Sequence, residues 1–157
     1  MPADHEQQMR RALDLARNNS RFPFGAVLVE MATGNVVAEG YNRSDDNPCW
    51  HGEIDVINRC AARHPGIDWS GLRLYTTAEP CCMCQGAILW AGIAEVVFGT
   101  SIRTLQQMGW NQIDILSEEV VQRAPFGRCA IVGGVLESEC DALFLSARML
   151  QRAGQVV

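Results

Sequence analysis

His51 and Glu53 stand two residues apart, and further along the chain Cys81 and Cys84 stand three apart. Two thiolates at i and i+3 share one face of a helix, so this pair can grip a single cation, and His51 brings the protein ligands to three. Three protein ligands leave the fourth tetrahedral position of a zinc ion open for water, as in catalytic sites; a closed structural site needs a fourth ligand. Both sets are expected at helix N-termini, where unpaired N–H groups and the macrodipole favour negative charge and lower a thiol pKa. In mid-helix Glu53 would point away from His51, but at a first turn the cap residue can turn back and the two can converge. A zinc ion lowers the pKa of a water it binds from about 15.7 toward roughly 7, and a neighbouring carboxylate can take the proton and pass it on. That chemistry suits attack on an amidine-type ring carbon. Glu53 would protonate the ring nitrogen and then the leaving amine, ammonia would depart, and a carbonyl would remain.

The elements that must position these residues are legible from periodicity and turn chemistry. Met9, Ala12, Leu13 and Ala16 recur at helical spacing behind Asp4 and Gln7, a capping pair, which predicts a helix over 4–18. Phe24 to Val29 is a continuous apolar run, Thr33-Gly34-Asn35 supplies a turn, and Asn35 to Gly40 resumes, so a β-hairpin is expected with its first strand buried on both faces. Residues 42–48 are nearly all turn formers and predict a surface loop. Helices follow over 51–64 and 81–91, strands over 72–77, 95–100 and near 129–133, a short helix over 101–109 and a last helix over 137–152. Residues 113–127 give no clear signal. Strands alternating with helices imply crossovers and a largely parallel sheet. The expected architecture is α/β: three α/β/α layers around a mixed five-stranded sheet with an N-terminal hairpin, forming one domain over 1–157.

Composition excludes several alternatives. With 157 residues, 48% apolar and 20% charged, the chain has the balance of a single folded domain. All thirteen basic residues are arginine, which removes a Schiff-base lysine, pyridoxal-phosphate chemistry and a Walker-type phosphate loop. A net charge of -5 gives no general attraction to phosphate backbones, so a nucleic-acid partner is disfavoured and a small-molecule substrate expected. No basic leader precedes an apolar run, and no stretch approaches membrane-spanning length. Seven cysteines then point to the reducing cytoplasm, where Cys clusters bind metal or do chemistry.

His51-Gly52-Glu53 followed by Pro80-Cys81-Cys82-Met83-Cys84 resembles the signature of zinc nucleobase deaminases, the cytidine deaminase-like superfamily. The segments Phe22 to Val29, Gly40-Tyr41-Asn42, Glu79 to Cys84 and Gly86 to Trp90 are most similar to bacterial guanine deaminases, then to tRNA adenosine deaminases; Asn47-Pro48 also resembles the guanine group. The Gly in the middle of His51-Gly52-Glu53 is the form of fungal-type cytosine deaminases. Asn111-Gln112 follows Gly109-Trp110 where guanine deaminases carry an acidic pair. The resemblance implies that His51, Cys81 and Cys84 bind zinc, that Glu53 shuttles protons, and that Asn42, Trp90, Phe24, Gly52 and Trp110 contact the substrate, with Trp90 walling the pocket. It implies deamination of a free base, guanine first, with tRNA adenosine or cytosine as alternatives and a silent zinc scaffold as the non-enzymatic one. It also implies a homodimer formed through the helix that carries the Cys ligands.

Other residues read as structural. Cys60, Cys129 and Cys140 behave as small buried hydrophobes, and Cys82 faces away from its neighbours' shared side. His64 ends a helix and His5 is read as solvated. Trp50 could stack on a base or plug the core, Trp69 packs, and Asp114 could supply a carboxylate in place of the missing acidic pair.

Overall fold

The computed structural model describes residues 4–155. Helix α1 (His5–Ala16) starts where Asp4 accepts a hydrogen bond from the Gln7 amide, as the sequence leads one to expect. The hairpin follows as β1 (Gly25–Glu30) and β2 (Val36–Tyr41), then α2 (Gly52–Arg63), β3 (Leu72–Ala78), α3 (Cys82–Ala91), β4 (Glu95–Thr100) and α4 (Ile102–Gln107). Helix α5 (Ser117–Arg123) fills part of the stretch that gave no signal, before β5 (Ala130–Val132) and α6 (Glu137–Gln155).

The five strands lie in the order β2-β1-β3-β4-β5. β1 is antiparallel to both its neighbours, whereas β3–β4 and β4–β5 are parallel. The sheet is therefore less parallel than expected. The crossover through α2 does join two strands running the same way, but β1 lies between them.

Period-2 alternation divides the core between the two faces of this sheet. Ala26, Leu28, Leu74 and Val96 face Val56 and Cys60 of α2 and Ile88 and Leu89 of α3. Val27, Val29, Tyr75 and Val97 face Met9, Ala12 and Leu13 of α1 and Cys140 of α6. This makes three layers around a mixed sheet. Within α2, Val56 and Cys60 reach the sheet, while Ile54 and Ile57 are half-buried and Ala61 is exposed.

A third cluster matters most for function. Ala78, Leu105, Trp110, Phe144 and Ala147 pack with Phe22 and Phe24 beyond the C-terminal end of β3. Here α6 meets the loops that follow β3 and β4, so this aromatic group forms a floor on which a site can be built. His5, read as solvated, is instead tied to this fold, with its Nδ1 2.9 Å from the Tyr75 hydroxyl. No helix among the described residues is long and apolar enough to cross a membrane.

Candidate active site

His51 and Cys81 are the N-cap residues of α2 and α3, both with extended backbone (φ -69°, ψ 166° and φ -63°, ψ 167°). Their carbonyls accept the first intrahelical bonds, from the Asp55 and Gln85 amides at 2.9 and 2.8 Å. Neither side chain caps its own helix. Each is free to turn outward, and the uncapped N–H groups behind them add positive potential. Cys84 sits at the third position of α3, the spacing at which a capping side chain reaches back, so its sulfur meets that of Cys81.

The three donor atoms converge. His51 Nδ1 lies 3.6 Å from the sulfur of Cys81 and 3.6 Å from that of Cys84, and all three donors lie within 4.8 Å of one another. Tetrahedral zinc with Zn–S of about 2.3 Å and Zn–N of about 2.0–2.1 Å sets S···N at roughly 3.6 Å. The residues therefore fit a zinc ion in both ligand type and spacing.

Charge at this cluster is unevenly shared. A hydrogen bond from the Cys84 thiol, opposed by burial and helped by His51, brings Cys81 down to about 4, while Cys81 and burial push Cys84 well above the ordinary thiol range. Contact with Cys81 raises His51 against the effect of burial. Without a cation the cluster holds one thiolate readily and resists a second, because two adjacent anions repel in a dry site. A divalent ion supplies the missing compensation.

Glu53 enters from the second position of α2 and is 3% exposed, so helix start and metal cluster do converge as anticipated. Burial, with the nearby Cys81 charge, raises its pKa. The Thr76 hydroxyl lies 2.8 Å from Glu53 Oε1 and 3.1 Å from the Ala78 carbonyl. One hydroxyl carries one proton. It donates to the carboxylate when Glu53 is ionised, and can turn to Ala78 while accepting from a protonated Glu53, so both states are matched.

These groups open into one cavity of about 330 Å³. Its walls include His51, Glu53, Cys81, Asn42, Phe24 and Trp110, so six of the nine residues singled out in the sequence come together. Asn42 Oδ1 accepts from the Ser44 amide and hydroxyl at 2.9 and 2.7 Å, leaving the NH₂ of its side chain as the group not engaged by the described residues. Trp110 spends its indole N–H on the Phe144 carbonyl at 3.3 Å and meets Phe24 edge-on at 88°. The two rings form a firm apolar wall. Cys84, the seventh, lies buried behind Cys81.

The other two of the nine lie outside the cavity wall. Trp90 is 78% exposed, packs on Phe126 and lines a separate apolar recess, because only the first turn of α3 faces the cavity and position 90 lies nearly two turns on. Gly52 does not reach the wall either. A Cβ there would stand 2.7 Å from the Phe24 carbonyl, so the glycine serves close packing of α2 on the chain entering β1. Asp114 is also absent from the wall and accepts instead from Gln106. Asn111 and Gln112 do line it, with neutral amides. Trp50 lies under the Arg43 guanidinium, 5.1 Å away, outside the cavity.

Sequence reading missed Glu79, Thr76 and Arg148. Glu79 is buried and accepts from the Ser117 amide and hydroxyl and from the Ile102 amide, which ties the starts of α4 and α5 to the Cys-bearing loop. Its place in Glu79-Pro80-Cys81 was the available signal. Arg148 and Gln151 continue the inward stripe of Cys140, Phe144 and Ala147, and polar groups on a buried stripe could have drawn notice.

Residues 2–100 match the family model of the cytidine and deoxycytidylate deaminase zinc-binding region. The chain belongs to this family. It is 41% identical to the tRNA-specific adenosine deaminase of Haemophilus influenzae over 101 residues, covering 61% of this chain and 58% of that relative's length. It is 31% identical to the guanine deaminase of Bacillus subtilis over 121 residues, covering 73% of this chain and 76% of the relative. The fold matches the solved guanine deaminase of Nitrosomonas europaea with a TM-score of 0.80 at 25% identity, over 94% of this chain and 86% of that one. The architecture and the zinc-binding character are those of the cytidine deaminase-like family. The chain has relatives with purine, pyrimidine and tRNA names, and it spans 58% and 54% of the length of the tRNA-specific adenosine deaminase and the probable cytosine deaminase among them.

Proposed function

We propose that this deaminase hydrolyses the exocyclic amine of a free nucleobase or related heterocycle, with guanine giving xanthine and ammonia as the first candidate. The observation that carries this reading is the single cavity in which the buried Glu53, the His51 and Cys81 donors and the Phe24/Trp110 wall all meet. About 330 Å³ lies at the small end of ligand sites and suits one planar ring.

In this reading His51, Cys81 and Cys84 hold zinc, and the ion supplies a water more acidic than bulk water. Glu53 would take one proton from the attacking water and place it on the ring nitrogen as the oxygen adds to the ring carbon, then take the proton of the new hydroxyl and pass it to the amine as the C–N bond breaks, leaving a carbonyl and ammonia. Thr76 keeps the carboxyl oriented through both protonation states. The side-chain NH₂ of Asn42 donates to an acceptor on the ring, and Phe24 with Trp110 excludes solvent on one side. Burial matters here: raising the pKa of Glu53 makes it a better proton carrier near neutrality.

Guanine is expected to be deaminated with kcat/KM at least about 10²-fold above that for adenosine in a tRNA anticodon stem-loop. Ammonia release from both, measured across salt concentration, checks this. Efficient and strongly salt-sensitive turnover of the stem-loop beside inert free bases would move the enzyme to tRNA editing.

We place this as one domain in the cytoplasm, working in purine metabolism, and as a homodimer. Seven unpaired cysteines suit a reducing compartment. The exposed Trp90, Ile115 and Phe126, lining one recess with Leu89 and Val120, make an apolar surface fit to be covered by a second copy. Sedimentation at micromolar concentration should show a dimer; a monomer alone would count against it.

A further inference from the structure

Arg148 is the one arginine in the cavity wall. It comes from α6, on the face that also buries Phe144 and Ala147, and one of its terminal nitrogens donates to Gln151 Oε1 at 3.1 Å. Gln151 is fixed in turn by its bond to the Arg21 carbonyl at 2.6 Å. The Arg148 Nε is buried and has no acceptor among the described residues, and no carboxylate among them lies within ion-pair distance of the guanidinium. Both acids of the wall are engaged elsewhere, Glu53 with Thr76 and Glu79 with Ser117 and Ile102. A buried donor left without an acceptor is costly, and a guanidinium is a fork of donors that cannot lose its charge. Gly109, at φ 90°, brings the backbone of the Trp110 turn close beside this side chain, where a Cβ would stand 3.4 Å from Nε.

We infer that Arg148 is a specificity-determining residue that reads the carbonyl and ring-nitrogen edge of the base, O6 and N7 of guanine. The inference rests on the free-base reading above and adds to it the edge that is recognised. The geometry of the pairing is general: a guanidinium donates two parallel hydrogen bonds to O6 and N7 of guanine, and adenine, with an amine in place of O6, cannot accept both. In guanine that edge lies across the ring from the C2 amine, so one group can hold it while the amine faces the metal cluster. The neighbouring Asn111 and Gln112 are neutral and leave the cation uncompensated for the substrate.

The test compares guanine with 2-aminopurine, which keeps the reacting amine and N7 but lacks O6. In the zinc-loaded wild type guanine is favoured. Arg148→Met should lower kcat/KM for guanine by about 5- to 150-fold, the discrimination of one good bidentate pair, chiefly through KM, and should cost 2-aminopurine, which offers only N7, clearly less. Arg148→Lys keeps a charge without the fork and should fall between. Thermal unfolding and zinc content of both variants establish that they fold. Equal losses on the two purines would show that Arg148 only supports the fold, and no loss on guanine would show that it does not read this edge; either overturns the inference alone. A wild type inert on guanine overturns the guanine reading and this inference with it.

Discussion

Glu53→Gln is expected to bind zinc and fold as the wild type does, yet to lose about 10² to 10⁴ in kcat, the usual contribution of a positioned acid/base. The substitution is close to isosteric and keeps an oxygen for the Thr76 hydroxyl, which lies 2.8 Å from Glu53 Oε1. What disappears is the ability to gain and release a proton. Because Glu53 is almost fully buried, no solvent path replaces it easily. KM should change little, since the carboxyl acts on protons in flight and the ring is held by Asn42, Phe24 and Trp110. Stopped-assay kinetics with zinc analysis on the same preparation separate the two effects. Near-normal kcat in a zinc-replete Glu53→Gln would remove Glu53 from the mechanism.

Cys84→Ala is expected to reduce zinc from about one ion per chain to near none and to bring turnover to background. Cys84 is fully buried at the third position of α3, with its sulfur 3.6 Å from His51 Nδ1, so no solvent ligand can take its place without opening the helix start. The surrounding His51 and Cys81 offer only two donors, one short of the set that holds catalytic zinc. Cys82→Ala provides the contrast. Cys82 lines the recess beside Trp90 and lies off the shared face, so its loss should leave both metal and rate nearly unchanged. Elemental analysis of protein purified without added metal decides between the two cysteines, and full metal with full rate in Cys84→Ala would refute the ligand assignment.

Much of this site is legible because local rules agree there. Glu95–Thr100 appears as a strand with the bounds that its apolar run suggests, and the His51 and Cys81 positions fall on helix starts because turn formers and Pro80 precede them. The Asn42, Phe24 and Trp110 positions come from family likeness, and tertiary packing brings them together. Trp90 and Gly52 lie off the cavity wall for the converse reason: a motif fixes which residue stands at a position but not which way a helix rotates it or what backbone presses on it. On α2, Val56 and Cys60 bury while Ile54 is half-buried and Ala61 exposed, a choice that periodicity does not make, because stripes offset by one or two residues are equally periodic on a helix with apolar residues on two sides. Arg148 left only a faint trace, as a polar residue on the buried stripe of α6. Its partner is the cavity itself, assembled from α6 and from loops far away in sequence.

The joint claim, that this cluster binds zinc and that the bound ion serves deamination of a base, is tested most directly by adding zinc stepwise to metal-free wild-type protein while recording ammonia and xanthine formed from guanine. The rate should rise in proportion to zinc bound and level off at about one ion per chain, with ammonia and xanthine appearing in equal amounts. Full ammonia release from the metal-free protein, or none at any zinc loading, would contradict it.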